Sequence, residues 1–531
     1  MRIDTLIKGG EIVDGSGGPS FCGDVGIKDD KIVHVGKELF ADNAACVIDA
    51  RDLIVTPGLI DPHSHTDWSI LSNPHALSTT HQGVTTEIVG NCGVTFAPIG
   101  EGKTDEMSAA LSGYGYHASP AWRSFGELTE YVHSDIKTTP NLAWFVGHTA
   151  LKNAARANSS YSYDDGLERL VRESFDSGAI GFSTGLEYGS GRFSRTDELI
   201  RLAEISREYE GIYASHIRNR DSELAIAVDE FFEIAQRAGR GQLSHLNVRY
   251  DTGAPKDAWR NAVERLVSER QQGLDVLADM TPFREGIGLA VGLLPNDIAT
   301  LPTKQIARAL RDSSTRNRVR DDSDRYWRFV HKGQWERVRL GVSPHTPEWE
   351  GLPFPQIAEQ SGKSEWDCFF DILCAAGEHI ESVQLLGTLF TEEHLAEAIG
   401  HDHFLLGVDA FSTRRDSALA TRTNHPLFYH GHTHYFSHHI FRKGTLDLIE
   451  GVHKMTGGVA QHFGLSRRGL LKEGCFADVA VFSPSKLQNT NTFEVPANYA
   501  EEARFVWVNG ELVVNAGVHT KKKPGRYLPR S

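Results

Sequence analysis

Cysteine is scarce in this chain, with six among 531 residues, and the six stand far apart. A disulfide framework packs many cysteines into a short chain, so that class is excluded, and each thiol is left for other chemistry in a reducing compartment. Basic blocks are lacking as well. Lys and Arg number 55 against 70 Asp and Glu, a formal net charge of −15. Binding a phosphate backbone needs clustered Lys and Arg, so no nucleic-acid partner is expected. The short run Lys521-Lys522-Lys523 reads as a solvated tail. No apolar run approaches the roughly 18 residues of a membrane span. The opening MRIDTLIKGGEIVDG lacks the apolar stretch of a secretory signal. The expectation is a cytoplasmic protein, off the membrane, acting on a small molecule.

What the chain has is length enough for a large core and two kinds of rhythm. Both ends read as short strands. Leu6-Ile7, Glu11-Ile12-Val13, Val25-Gly26-Ile27 and Lys31 to Val35 open the chain, with Asp29-Asp30 as a hairpin signal. Asp478 to Phe482 and Phe505 to Val514 close it, and Asn509-Gly510 is a strong type I′ turn. Between them, short apolar strands alternate with helical stretches. The strands include Thr86 to Gly90, Leu142 to Val146, Ile180 to Ser183, Ile212 to Ser215, Gly241 to Ser244, Leu274 to Ala278 and Phe404 to Val408. Repeated βα units over this length favour a closed (β/α)8 barrel. The expected organisation is residues 57–464 as the barrel, with residues 1–56 and 465–531 meeting in a small β-sandwich domain. Residues 283–350, rich in Arg and Asp and without an obvious strand, read as an insertion over the barrel mouth.

Several of these strands end in a metal-ligand side chain. The run Gly58-Leu59-Ile60-Asp61-Pro62-His63-Ser64-His65 ends in His-x-His, and alternation along a strand points His63 and His65 the same way. Cys92 follows Val89-Gly90-Asn91, His216 follows Tyr213-Ala214-Ser215, His245 follows Gln242-Leu243-Ser244, and Asp409 follows Leu406-Gly407-Val408. All strand C-termini of such a barrel converge on one mouth. Taken singly, each residue reads as core or structural; taken together they read as a metal site. Imidazole and thiolate are ligands that suit zinc, which keeps a position open for water and acidifies it. Asp409 is placed to move the proton.

With those residues in view, the chain resembles the N-acyl-D-amino-acid deacylase (D-aminoacylase) family of the amidohydrolase superfamily. The resemblance runs through Pro57 to His65, Val89-Gly90-Asn91-Cys92-Gly93, Gly181-Phe182-Ser183-Thr184-Gly185-Leu186-Glu187-Tyr188, Ser215-His216-Ile217-Arg218, Ser244-His245, Lys454-Met455-Thr456 and the tail Arg468-Gly469 to Ala477-Asp478. Asn-Cys-Gly is the most diagnostic step, a cysteine standing where many relatives use a carboxylated lysine. The resemblance implies that Cys92, His216 and His245 hold a tight zinc ion, that His63 and His65 line a second, weaker position, and that Asp409 is the general acid/base. Tyr188 matches a residue near the substrate, and Asn247, Phe283, Arg218 and Arg414 are the further candidate substrate-binding residues.

The chain departs from the family at the groups that clamp a substrate carboxylate. Asn247 stands in place of a lysine, Thr281-Pro282-Phe283 in place of Tyr-Pro-Tyr, Val408-Asp409-Ala410 in place of Ser-Asp-Gly, and His425-Pro426-Leu427 in place of His-Pro-Arg. A neutral side chain does not replace a charge-assisted pair. Two readings stay open. In one, the chain cleaves the linear amide of an N-acyl-D-amino acid, with Arg218, Arg414 or Arg415 restoring the charge. In the other, it cleaves an amide, lactam or carbamate without that carboxylate. A non-catalytic scaffold would tolerate loss of the ligands that are all present here, and a hydantoinase-type enzyme would carry the bridging lysine. The histidine-rich run Tyr429 to His439 is expected to line the pocket or pack rather than to bind metal.

Overall fold

A computed structural model describes residues 3–37, 44–157, 160, 162–322, 327–417, 419–420, 425–487 and 498–530. Eight parallel strands follow one another in space as they do in the chain: Leu59–Asp61, Val84–Val89, Asn141–Gly147, Gly181–Gly185, Ile212–His216, Arg240–Leu243, Asp275–Met280 and Phe404–Leu406. Every residue of Val84–Val89 and Asn141–Gly147 is buried. Helices cover the outer face and side chains fill the inner one, which is why these strands read as apolar runs rather than alternating ones. The helices Tyr163–Asp176, Thr196–Glu208, Leu224–Ala238 and Ala258–Gln271 lie between successive strands. Leu224, Ala227, Val228, Phe231 and Ala235, spaced three and four apart, form the buried stripe of the third of these.

The barrel is closed by its loops. The first and last strands are joined where Asp409 N donates to His63 O at 2.8 Å and His65 N donates to Ala410 O at 2.9 Å. The closing seam therefore passes through the His-x-His motif and the strand-end aspartate.

The two ends of the chain share a nine-stranded sheet. Ile54–Pro57 pairs antiparallel with Val479–Phe482, bringing residues more than 400 positions apart into register. Ile7, Ile12, Val25, Ile27, Val55, Val479, Val481 and Trp507 form its own apolar cluster. Leu6-Ile7 and Glu11-Ile12 belong to one strand, Ile3–Ile12, whose register shifts between Ile7 and Gly10. The Asn509-Gly510 turn has φ of 48° and 82°, the left-handed pair that a type I′ turn requires.

Two readings are corrected. Residues 283–350 contain strands Glu285–Leu289 and Val338–Val342, which flank Gln384–Thr388 in a three-stranded antiparallel sheet. All three strands have only five residues and each is interrupted by glycine, and the partner that stabilises the first two lies beyond the insertion as read, so no local pattern reveals them. The C-terminal segment is not a free tail. Leu528 N donates to Leu142 O at 2.8 Å, and Leu142 N donates to Arg526 O at 2.9 Å, docking the segment on the barrel. Lys521, Lys522 and Lys523 stay exposed, Lys523 reaching the Ile136 carbonyl at 2.6 Å.

Candidate metal centre

Cys92, His245 and Asp409 stand just beyond strand ends with φ of 54°, 35° and 58°. Left-handed backbone is uncommon for residues with a Cβ and persists where its surroundings over-determine it. Around Cys92 those surroundings are plain. A Cβ on Gly90 would sit 2.2 Å from the Phe145 carbonyl oxygen, and one on Gly93 would sit 2.6 Å from the Gly185 nitrogen. Ser183 clamps the same turn, its hydroxyl donating to the Gly90 carbonyl and accepting from Gly93 N at 2.9 Å. The fourth strand, which has no lysine, thus contributes a hydroxyl that aims the thiol.

The six strand-end groups meet. Cys92 Sγ lies 3.3 Å from His63 Nε2 and 3.5 Å from His245 Nε2. Cys92, His216 and His245 offer ligand atoms within 4.8 Å of one another, and so do His63, His65, Cys92 and Asp409. Cys92 belongs to both groups. Asp409 Oδ1 is 3.1 Å from His65 Nε2 and 3.4 Å from His63 Nε2, and Oδ2 is 3.9 Å from His245 Nε2. The imidazoles are buried, whereas the Asp409 carboxylate is 33% exposed, so the open side of the cluster is the carboxylate's side.

A layer of partners orients these side chains. Asp279 Oδ1 lies 3.1 Å from His63 Nδ1 and accepts from His245 N at 2.9 Å, while Gln242 holds its other oxygen at 2.6 Å. Glu187 Oε2 lies 2.7 Å from His216 Nε2, and Arg220 Nη2 lies 3.2 Å from the same nitrogen. Arg249 and Arg220 pair with Glu187 at 2.6 and 3.1 Å, Arg249 also meets Asp221 at 3.0 Å, and Arg220 reaches His245 Nδ1 at 3.1 Å. Carboxylates behind metal-binding imidazoles fix ring orientation and tautomer. Sequence reasoning missed Asp279, Glu187, Arg220 and Arg249. The signal for Asp279 was present, because it is a carboxylate at the end of the apolar strand Asp275–Met280, as Asp409 is beyond Phe404–Leu406.

Burial pushes the Cys92 thiol up, but the charge on His63 and hydrogen bonds from His216 and His245 outweigh it and leave the thiol well below its ordinary value. Burial likewise opposes ionisation of Asp409, and His245 and His63 hold it as a carboxylate well below the usual range. Burial disfavours the His65 imidazolium, yet Asp409 and Cys92 bring it up to about 9. A thiolate and a carboxylate set among imidazoles form a donor set that zinc fits.

An aromatic wall flanks the open side. Trp68 packs on His65 with centroids 4.3 Å apart, and Tyr114 and Phe411 continue it at 5.5 and 6.4 Å. Tyr188 sits edge-on to His216 at 4.8 Å and donates its hydroxyl to the Cys92 carbonyl at 3.1 Å.

The other expected substrate contacts fall out unevenly. Asn247 is buried beside the cluster, its amide donating to the His245 carbonyl and its Oδ1 without a partner among the described residues. Arg218 is taken up by Glu230, at 2.8 and 2.9 Å, and by the carbonyls of Arg192 and Ser194. Arg414 pairs with Asp416 through two bonds of 2.7 Å and lines a separate cavity with His75, His81, Tyr499 and His519. Arg415 is exposed. Phe283 is buried and stacks on His434 at 4.0 Å. Leu427 is buried among Val408, Phe411 and Phe428. Of the arginines, Arg220 rather than Arg218 or Arg414 reaches the candidate ligands, His245 and His216, and Arg249 stands behind it on Glu187.

Known proteins give this arrangement a context. The sequence profile of the amidohydrolase family matches residues 46–215 and 409–514. An N-acyl-D-glutamate deacylase of Alcaligenes xylosoxydans xylosoxydans is 28% identical over all of this chain and 97% of its own length. A D-aminoacylase of the same organism is 27% identical over all of this chain and 98% of its own. The crystal structure of N-acyl-D-glutamate deacylase from Bordetella bronchiseptica, complexed with zinc and a phosphonate inhibitor that mimics the tetrahedral intermediate, superposes with a TM-score of 0.81 at 26% identity, covering both chains entirely. A D-aminoacylase structure superposes at 0.80 with 25% identity over the same extent. With a family match over more than half its length and the fold and ligand cluster described above, this chain belongs to the amidohydrolase family.

Proposed function

We propose that the chain is a zinc-dependent hydrolase of a linear amide bond, its substrate an N-acyl-D-amino acid or a related N-acyl compound. The observation that carries this is the sharing of Cys92 between two ligand groups, with the Asp409 carboxylate on their open side. Full-length likeness to deacylases supports the substrate class.

Cys92, His216 and His245 would hold the tighter zinc ion, and His63 and His65 a second, weaker position. One solved D-aminoacylase is described as activated by one metal and attenuated by a second, and two overlapping ligand groups allow the same pair of states here. Zinc bound at such a site acidifies water and polarises an acyl oxygen. Asp409 accepts the proton of the attacking water and returns it to the leaving nitrogen, a role its partial exposure and its contacts with His63 and His65 permit. Tyr188 stands beside His216 and Trp68 beside His65, so a substrate entering from the open side would pass between aromatic side chains. Six free cysteines and the lack of any described helix long and apolar enough to cross a membrane are consistent with a cytoplasmic location.

The second reading is an amide, lactam or carbamate without a free carboxylate. What favours it is the neutral Asn247 beside the ligands, together with the pairing of Arg220 and Arg249 by Glu187 and Asp221. One experiment addresses both. Metal content is measured on the wild type and on Cys92→Ala, alongside hydrolysis of N-acyl-D-amino acids, their L-enantiomers and their neutral amides. A loss of about one zinc per chain in the variant relative to the wild type, together with loss of activity, supports the site. Faster turnover of the neutral forms selects the second reading, and metal-free active protein refutes both.

A further inference from the structure

Three imidazoles outside the candidate centre share one face of a helix whose winding changes beneath them. The α-helix Leu427–His434 runs directly into a π-helix, Tyr435–Arg442. In α-helical winding, residues i and i+4 share a face, whereas residue i+5 lies about 140° away. A π-helix bonds i to i+5 and places more residues in each turn, so residue i+5 comes back beside residue i. The bond from Lys443 N to His438 O, at 2.8 Å, has that span. His434, His438 and His439 therefore come together, which α winding would not allow.

Their geometry is that of a ligand group. The three ring nitrogens lie within 4.8 Å of one another. Ring centroids are 4.9 Å apart for His434 and His438, 4.8 Å for His438 and His439, and 5.7 Å for His434 and His439. His439 Nε2 lies 2.9 Å from the Pro282 carbonyl. A carbonyl only accepts, so Nε2 carries the proton and Nδ1 is left with its lone pair, the orientation a ligating imidazole needs. Burial keeps all three rings on the neutral side. Among the charges acting on His438, Glu392 favours a cation, and Lys443, Arg442 and Arg284 oppose one. A cation here would be held by ligation rather than by net charge.

We propose that His434, His438 and His439 form a second metal site, distinct from the Cys92 centre, that takes a borderline divalent cation such as Zn2+, Ni2+ or Cu2+ through three imidazoles. Its reach extends to the barrel mouth. His439 holds the Pro282 carbonyl and His434 stacks on Phe283, so occupancy pins the segment that follows the strand carrying Asp279. The assignment does not depend on the substrate proposed above, because none of its ligands belongs to the first centre.

The test is calorimetric titration of Zn2+ into EDTA-stripped full-length protein, as wild type, Cys92→Ala, His438→Ala and the double variant. His438→Ala is expected to lower the stoichiometry by one ion in both backgrounds. If His438→Ala does not fold, His438→Gln keeps the side chain's bulk and carries the same comparison. Cu2+ bound to Cys92→Ala should show nitrogen couplings in electron paramagnetic resonance that diminish on His438→Gln. An unchanged stoichiometry in both backgrounds overturns the proposal, as do copper couplings that ignore His438.

Discussion

Asp409 N donates to the carbonyl oxygen of His63 at 2.8 Å, so the proposed proton carrier and the first histidine of His-x-His are fixed to each other across the closing seam of the barrel. The Asp409 carboxylate then lies 3.4 Å from the His63 ring. Backbone pairing, not side-chain attraction alone, sets how close the carboxylate stands to that imidazole.

Asp409→Asn keeps the backbone bond and the shape while removing the base. We expect kcat for the best amide of the panel to fall by about 10²- to 10⁴-fold, the usual worth of a general acid/base. Metal content should stay at the wild-type value. Loss of metal along with activity would make Asp409 a structural ligand instead.

Glu187 holds His216 through Nε2 at 2.7 Å. Removing such a support typically weakens metal binding by about 10- to 100-fold. Glu187→Gln should therefore lose zinc to a chelator at correspondingly lower concentration, and added zinc should restore activity. A variant that competes for zinc as the wild type does would show the carboxylate to serve only Arg220 and Arg249.

Arg249 is wholly buried between Glu187 and Asp221. Truncation leaves two buried carboxylates partly uncompensated, a change that costs about 3–5 kcal/mol in comparable buried pairs. Arg249→Met should lower the urea midpoint strongly. Arg218→Ala breaks an ion pair with Glu230 away from the ligands and should leave KM for N-acyl-D-amino acids unchanged. A raised KM in that variant would return Arg218 to the substrate.

Acid should destabilise the fold. Burial pushes His432 down to about 3 and His81 down to about 4. Both titrate near 6.5 when unfolded, so between pH 6.5 and about 4 the unfolded chain binds protons that the folded chain refuses. Their contribution is complete above pH 6.5 and is lost as pH falls through that window. Glu502 acts oppositely: burial pushes its carboxyl up to about 7, so its contribution is complete at low pH and is lost as pH rises through 7. Urea midpoints measured with EDTA present should fall from pH 6.5 to 4, less steeply for His432→Gln. A profile that rises toward pH 4 would contradict the assignment of neutral buried histidines.

The barrel strands and the six strand-end groups were legible because both are local patterns. An apolar run followed by His63, Cys92, His216, His245 or Asp409 needs only a few neighbours to be recognised, and the strand rule carries each residue to the barrel mouth. The strands Glu285–Leu289 and Val338–Val342 were not legible, because their pairing with Gln384–Thr388 lies outside any local window. Arg218 and Arg414, offered with Arg415 as a replacement for a carboxylate clamp, pair with Glu230 and Asp416, which no local pattern shows. Charge is visible in a sequence, whereas the partner that takes up the charge is not.

By itself, then, the sequence determined the alternation of strand and helix, the kinds of ligand atoms and the strand ends that carry them, since these follow from side-chain chemistry and backbone periodicity. Only the tertiary structure decided which of those atoms share a space. His63 meets Asp279 across 216 residues, His65 meets Asp409 across 344, and Arg220 rather than Arg218 faces His245. It also decided that a π-helix would gather His434, His438 and His439. Such choices rest on contacts between distant segments and on how a helix winds under packing, neither of which is encoded in the spacing of neighbours along the chain.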